Sequence, residues 1–372
     1  MGGCLPVNLD CGQRADMAVS FAHIPARVLM IGPDLSLHGG IVSVVDGYLK
    51  GGLPAICDSF EYLGTGLGFT KIGKFWSFIK TLTTFKKMLP LYDIVHLHIS
   101  ARGSYWRKSI MARLAHKAGK RVILHDHDGE FAATFEKGGG TYRRNVRETF
   151  DLADCVLVLS EEWCDYFAEN VCDRSKIVIL HNSVKAPENP CTPRAHQDVL
   201  FLGRLDARKS PDILLRAAAE LVQRYPGVRY RFCGDGEVAR YQVLADSLGI
   251  ADQCDFTGWV NGEEREAIIR DSGIFCLPSR NEGMPMSMLE MMAYGLPCVV
   301  TPVGGIPQVI EDGKNGFMVP VGDERLLASR LGELLESPSL RAEIGRNARE
   351  MVSERFGIEK SIVELGQIYA DL

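Results

Sequence analysis

The 372-residue chain is predicted to be an α/β protein of two Rossmann-like, doubly wound domains facing each other across a cleft. Three observations carry that prediction. The chain is too long for one ordinary core and fits two domains. Short β-branched runs alternate with helical spacing, the pattern of a parallel sheet with crossover helices. A polar stretch holding Pro187, Pro190 and Pro193 interrupts that alternation near the middle, as an interdomain linker would.

Taken in order, residues 1–26 show little periodicity and read as a mobile extension. Gly2 and Cys4 do not make an acylation signal, because Pro6 stands where Ser or Thr is needed. The first domain is expected over 27–186, with strands at Val28–Ile31, Ile94–His98, Val122–His125, Val156–Ser160 and Ile177–His181. Trp106, Ile110, Leu114 and Ala118 recur at i, i+4 and mark a helix between two of them. A linker over 187–197 leads to the second domain, 198–356, with strands at Val199–Leu202, Arg229–Cys233, Cys254–Thr257, Ile274–Leu277, Cys298–Thr301 and Gly316–Val319. The last helical pattern, within 357–372, is expected to pack back on the first domain.

Composition excludes several classes. With 46% apolar and 24% charged residues the chain is globular rather than disordered or fibrous. Eleven cysteines without a C-x-x-C pair suggest neither a disulfide framework nor a zinc site, and fit a reducing cytoplasm. No run approaches the roughly 20 apolar residues of a membrane span, and no leader pattern precedes the first strand. Net charge is −5, yet within residues 63–125 twelve basic residues face the single acid Asp93. Phe69, Phe75, Trp76, Phe78 and Phe85 lie among those lysines, a composition compatible with an anionic membrane face, although the lysines do not gather on one side of a helix. Sheet-packing helices with solvated charges are the plainer reading.

Ligands of open parallel sheets bind beyond the carboxyl ends of the strands. After Ile274–Leu277 a helix starting near Pro285 or Ser287 would aim free N–H groups and its positive end into the cleft, a setting suited to a diphosphate. Glu282 lies in the loop before that helix and Glu290 about one turn inside it, where carboxylates can accept from sugar hydroxyls. Arg204 and Lys209 leave the strand at Val199–Leu202 and can reach a phosphate, or be solvated loop charges. Two glutamates eight positions apart are common by chance; their joint placement with these cations is less so. In the first domain Gly39-Gly40 follows the first strand and either admits a phosphate or simply turns. His96 and His98, and His125 and His127, each point to one face of a strand. They read as polar lining of an acceptor cleft, as a metal site, or as satisfied core histidines.

The run Glu282-Gly-Met-Pro-Met-Ser-Met-Leu-Glu290, followed by Met292-Ala-Tyr-Gly-Leu-Pro297 and Val303-Gly-Gly-Ile-Pro307, resembles the donor-site signature of retaining glycosyltransferase family 4, of GT-B fold. Gly203-Arg204-Leu205 with Lys209, Gly234-Asp235-Gly236 and Phe256-Thr257-Gly258 fall in the family's order, so the resemblance covers nearly the whole second domain. It implies that Arg204 and Lys209 hold the donor diphosphate, Glu290 the ribose, and Glu282 the transferred sugar. Backbone from Gly283, Met284, Pro285, Met286, Ser287 and Met288 would complete the pocket, Gly234, Gly258 and Val260 would flank the base, and Gly40 would face the phosphate. His125-Asp-His-Asp-Gly-Glu-Phe131 is similar to the family's stretch in which the second histidine, here His127, lies near the reacting sugar. Asp128 replaces the usual glycine there, and Asn182-Ser183 the usual Asn-Gly.

The implied activity is transfer of a hexose from a nucleotide diphosphate sugar, a UDP-sugar or GDP-mannose, to a glycan or lipid-linked acceptor in bacterial surface polysaccharide biosynthesis. Glu282, His127, Arg204 and Lys209 would be the catalytic set, with no cofactor, no metal and no nucleic acid. The expected location is the cytoplasm, or the inner face of its membrane. A nucleotide-sugar epimerase, a phosphorylase or a non-catalytic binding protein of the same architecture are the rival readings; no G-x-G-x-x-G follows the first strand, as a nicotinamide dehydrogenase would require.

Overall fold

The computed structural model describes residues 23–66, 71–100, 102–191 and 197–372. Most of the expected extension, residues 1–22, lies outside them. Two six-stranded parallel sheets follow in sequence. The first comprises β1 (Ile24–Pro33), β2 (Cys57–Thr65), β3 (Ile94–Ile99), β4 (Arg121–Asp126), β5 (Cys155–Val158) and β6 (Ile177–Ile179), in the order β2-β1-β3-β4-β5-β6. The second comprises β7 (Asp198–Leu202), β8 (Tyr230–Cys233), β9 (Cys254–Gly258), β10 (Ser272–Leu277), β11 (Cys298–Val300) and β12 (Phe317–Met318), in the order β12-β11-β10-β7-β8-β9.

Every strand pair is parallel, and the strand order in each sheet reverses once, which opens a crevice at the carboxyl ends. The interior strands are mostly apolar because helices cover both faces; β10, Ser-Gly-Ile-Phe-Cys-Leu, is buried at every position. Two expectations need correcting. β1 begins at Ile24, inside the stretch read as extension, because Ile24 and Ala26 are buried beneath the last helix. β2 went unpredicted. It is an edge strand whose run Cys-Asp-Ser-Phe-Glu-Tyr-Leu-Gly-Thr is buried only at its two ends, so it lacks the apolar signal of its neighbours.

The final helix, Ile358–Ala370, returns to the first sheet. Ile358, Ile362, Leu365 and Tyr369 are buried, and Gly47 and Gly51 leave room for the first two: a Cβ on Gly51 would stand 2.6 Å from Ile362 Cδ1. The chain therefore crosses between the domains twice. The crossings lie side by side, since Val184 N donates to Phe356 O at 2.9 Å and Ile358 N to Val184 O at 3.1 Å.

Candidate active site

A cavity of about 590 Å³ lies between the two sheets and takes wall residues from both. Its floor is the loop after β10. Glu282 there is only 5% exposed, and its position requires compensation, because an unpaired carboxylate in a dry site is costly. Three donors supply it. Oε1 accepts from Lys209 Nζ at 2.5 Å and from Ser279 Oγ at 2.6 Å, while Oε2 faces Arg208 Nη1 at 3.4 Å. A carboxylate has about four lone-pair sites, so roughly one remains on Oε2 for a ligand hydroxyl.

The helix Met286–Tyr294 starts one residue after Pro285, which caps it without a side-chain hydrogen bond. Its first amide groups are therefore available to an anion, and Met286, Ser287 and Glu290 line the cavity. Gly40, which opens the helix Gly40–Gly51, lies opposite; a Cβ on it would stand 3.7 Å from Met286 Cγ. Glu290 pairs with Arg265, and burial pushes its carboxyl up while the guanidinium pulls it down. Any ligand hydroxyl would therefore share that carboxylate with Arg265.

Gly40, His127, Arg204, Lys209, Val260, Glu282, Gly283, Met284, Pro285, Met286, Ser287 and Glu290 all line this one cavity. The cations differ sharply in setting. The Lys209 side chain is 11% exposed and spends one N–H on Glu282, whereas Arg204 is 58% exposed and leans on Asp235 at 3.2 Å. To reach a ligand Arg204 would exchange these exposed contacts, to Asp235 and to Asp206 at 3.7 Å, for the ligand's charge. Gly234, Gly258 and Met288 are not on the wall. Gly234 is required for packing instead, since a Cβ there would lie 1.9 Å from Gly203 O; Met288 is wholly buried in the core.

His96, His98 and His125 also depart from expectation: they are wholly buried and do not line the cavity. Alternate residues of a strand share a face, but each sits one step further from the strand's end, so only His127, just beyond β4, reaches the cleft. The other three form a column beneath it. His96 Nδ1 meets Tyr369 Oη at 2.7 Å, His96 Nε2 meets His125 Nδ1 at 3.3 Å, and His98 Nδ1 meets His127 Nε2 at 2.9 Å. One potential metal-binding atom from each of His96, His98 and His125 lies within 4.8 Å of the others. In the column, however, His96 Nε2 and His125 Nδ1 are turned on each other and His98 Nδ1 on His127 Nε2, so these nitrogens are engaged with one another. Burial lowers His96 and His127 to about 3, and His98 and His125 well below their ordinary value, so the column is neutral.

Sequence reasoning missed four participants. Arg208 and Arg265 pair with carboxylates 74 and 25 positions away, which no local pattern reveals. Asn182, noted only as half of an altered dipeptide, reaches across the cleft and donates from Nδ2 to Met284 O at 2.7 Å, tying the loop after β10 to the first domain. His38 stacks on Trp259 with centroids 4.0 Å apart and planes 3° apart, joining the domains at the cavity. Asp128, the residue standing in for glycine, makes a turn of its own: Oδ1 accepts from Glu130 N at 3.0 Å.

The comparisons with known proteins agree with this geometry. The family described as Glycosyltransferase Family 4 matches residues 61–186, and that described as Glycosyl transferases group 1 matches residues 192–351. A protein of Salmonella typhimurium named as a colanic acid biosynthesis glycosyltransferase is 30% identical over 234 residues, covering 58% of this chain and 56% of that one; the chain thus spans about half the length of such relatives. A D-inositol 3-phosphate glycosyltransferase of Streptomyces avermitilis is 30% identical over 310 residues, 75% of this chain and 65% of that one. Among solved structures, HepE of Anabaena in complex with UDP superposes with a TM-score of 0.73 at 17% identity, covering 93% of this chain and all of that one. Sucrose-phosphate synthase of Thermosynechococcus elongatus superposes at 0.76, with 18% identity over 93% and 98%. At such identities the likeness is one of fold. One glycosyltransferase family is matched in each half, and two parallel sheets face across a shared cavity, which is the GT-B fold.

Proposed function

We propose that the chain transfers a hexose, with retention of configuration, from a nucleotide diphosphate sugar to a glycan or lipid-linked acceptor of surface polysaccharide biosynthesis. A UDP-sugar is the favoured donor and GDP-mannose the second choice. The observation carrying the proposal is the cavity's polarity: a buried, cation-held carboxylate, Glu282, beside the open start of the helix Met286–Tyr294, with the exposed Arg204 on the wall. The UDP complex of HepE supports the choice of base, and the colanic acid relative the choice of pathway.

In this reading the diphosphate lies at the helix start between Gly40 and Met286, Glu290 and Arg265 meet the ribose, and Glu282 meets sugar hydroxyls. Bond breaking leaves negative charge on the departing phosphate, and Arg204, Lys209 and the helix terminus stabilise it. The acceptor hydroxyl attacks from the same face and gives its proton to that phosphate. Glu282 is given no nucleophilic role in this reading: Lys209, Ser279 and Arg208 hold its charge, and the lone pair left on Oε2 accepts from a sugar hydroxyl. Resident metal and cofactor have no part in the proposed reaction.

A thermal-shift panel of UDP, GDP, ADP and their sugars tests the donor assignment. A ligand at 100 times its dissociation constant stabilises by about 2.7 kcal/mol, and UDP is expected to give the largest shift. No response to any nucleotide would remove the proposal.

The acceptor side suggests membrane contact. Phe75, Trp76 and Ile79 on the helix Lys71–Met88, and Trp106 and Ile110 on the adjoining helix Arg102–Lys117, are exposed beside the basic Lys80, Lys86 and Lys87. No helix among the described residues is long and apolar enough to cross a membrane. We expect flotation with vesicles containing anionic lipid, lost in Phe75→Ser/Trp76→Ser; equal flotation with neutral vesicles would contradict a charge-assisted surface.

A further inference from the structure

We propose that His98 is a positioning residue: it fixes His127 as the Nδ1–H tautomer, so that His127 offers the cleft a hydrogen-bond donor. His98, from β3, is wholly buried and does not reach the cavity. Its Nδ1 lies 2.9 Å from His127 Nε2, and one of the two nitrogens must donate. The other end of His98 decides which. Nε2 is buried with no hydrogen-bond partner. If the His98 proton sat there, a donor would be orphaned in the core; if it sits on Nδ1, only a lone pair is orphaned. Buried orphan N–H groups are the rarer and costlier of the two. His98 therefore donates from Nδ1, His127 Nε2 accepts, and the His127 proton is left on Nδ1. That is the ring nitrogen remaining for a ligand.

The second pair in the column does not settle in the same way. His125 Nε2 is likewise buried and unpartnered, but His125, His96 and Tyr369 share three protons between two hydrogen bonds, so one donor is orphaned in either direction and the rule fixes only the His98–His127 pair. Because burial keeps all four rings neutral, tautomer rather than charge is the property the column sets. The cleft is thereby polarised. A His127 N–H stands on the first domain, and on the second a carboxylate that can only accept; their loops meet closely enough that a Cβ on Gly129 would lie 2.7 Å from Gly283 N. A sugar hydroxyl reaching both would accept from His127 and donate to Glu282. This last consequence rests on the donor-site reading, whereas the tautomer does not.

The test is long-range ¹H–¹⁵N correlation of the full chain with labelled histidine at neutral pH, His127 being assigned by its loss in His127→Gln. We expect the Nδ1–H pattern for His127 in the wild type and its retention in His98→Asn, whose amide nitrogen can sit where Nδ1 sat. In His98→Leu, which removes the donor, the Nε2–H form should appear. A wild-type His127 in the Nε2–H form overturns the proposal even if the variants fail to fold. With the donor found by the nucleotide panel, turnover is expected to fall about tenfold in His98→Leu, the loss of roughly one hydrogen bond, and to recover in His98→Asn. Equal loss in both variants would reduce His98 to a packing residue. Failure of every nucleotide to bind would remove the donor reading and leave the tautomer measurement intact.

Discussion

Lys209→Met is expected to lower turnover by about 10²–10³ and to destabilise the protein by about 3–5 kcal/mol. Both effects follow from one contact. Methionine keeps much of the lysine stem's packing but withdraws the ammonium 2.5 Å from Glu282 Oε1. The carboxylate, 5% exposed, is left with Ser279 and the longer contact to Arg208. An uncompensated buried charge costs more than the intact pair contributes. Adding Glu282→Gln should restore most of the stability, since both charges are then gone, but none of the transfer, since leaving-group stabilisation is still missing. Denaturant unfolding and single-turnover kinetics on the two variants check this. Full turnover by Lys209→Met would refute the assigned role, and a double variant no more stable than the single would show that the pair is not coupled.

Gly304→Ala is expected to cost about 10² in turnover without touching any charged group. Gly304 adopts φ +56°, a left-handed conformation costing roughly 1–2 kcal/mol for an L-residue. A Cβ there would lie 2.1 Å from Glu282 O and 2.6 Å from Gly283 O, which are backbone atoms that cannot rotate away. The loop must shift, and the Gly305 N to Gly283 O bond at 2.6 Å shifts with it. Glu282 and the start of the helix Met286–Tyr294 would then miss the ligand by a distance to which catalysis is steeply sensitive. Wild-type activity in Gly304→Ala, measured against its unfolding midpoint, would show that the loop tolerates displacement.

Much of the fold was legible because buried parallel strands announce themselves. β3, β4, β10 and β11 are largely apolar runs closed by turns, and each was expected within about two residues of its observed bounds. β2 was not, since an edge strand buries too little to leave a pattern. The second domain's wall was legible for another reason: Glu282 through Glu290 are contiguous, so a single stretch of sequence carries both carboxylates and the helix start. Arg208, Arg265 and Asn182 act through partners far along the chain, and their roles exist only once the sheets are packed. The histidine column shows the opposite failure. The i, i+2 alignment was read correctly as a shared face, but periodicity gives a face and not a depth, and three of the four rings lie below the cavity.

The return of the helix Ile358–Ala370 to the first sheet sets a clock on synthesis. His96 and its hydrogen-bond partner Tyr369 are 273 residues apart, so at ordinary elongation rates the first sheet waits roughly 14–55 s on the ribosome for its last covering element. During that interval Ile24, Ile56 and the helix surface around Gly47 and Gly51 stand uncovered, and the second domain can be complete before the first is. An N-terminal domain born first is, in this chain, the domain finished last.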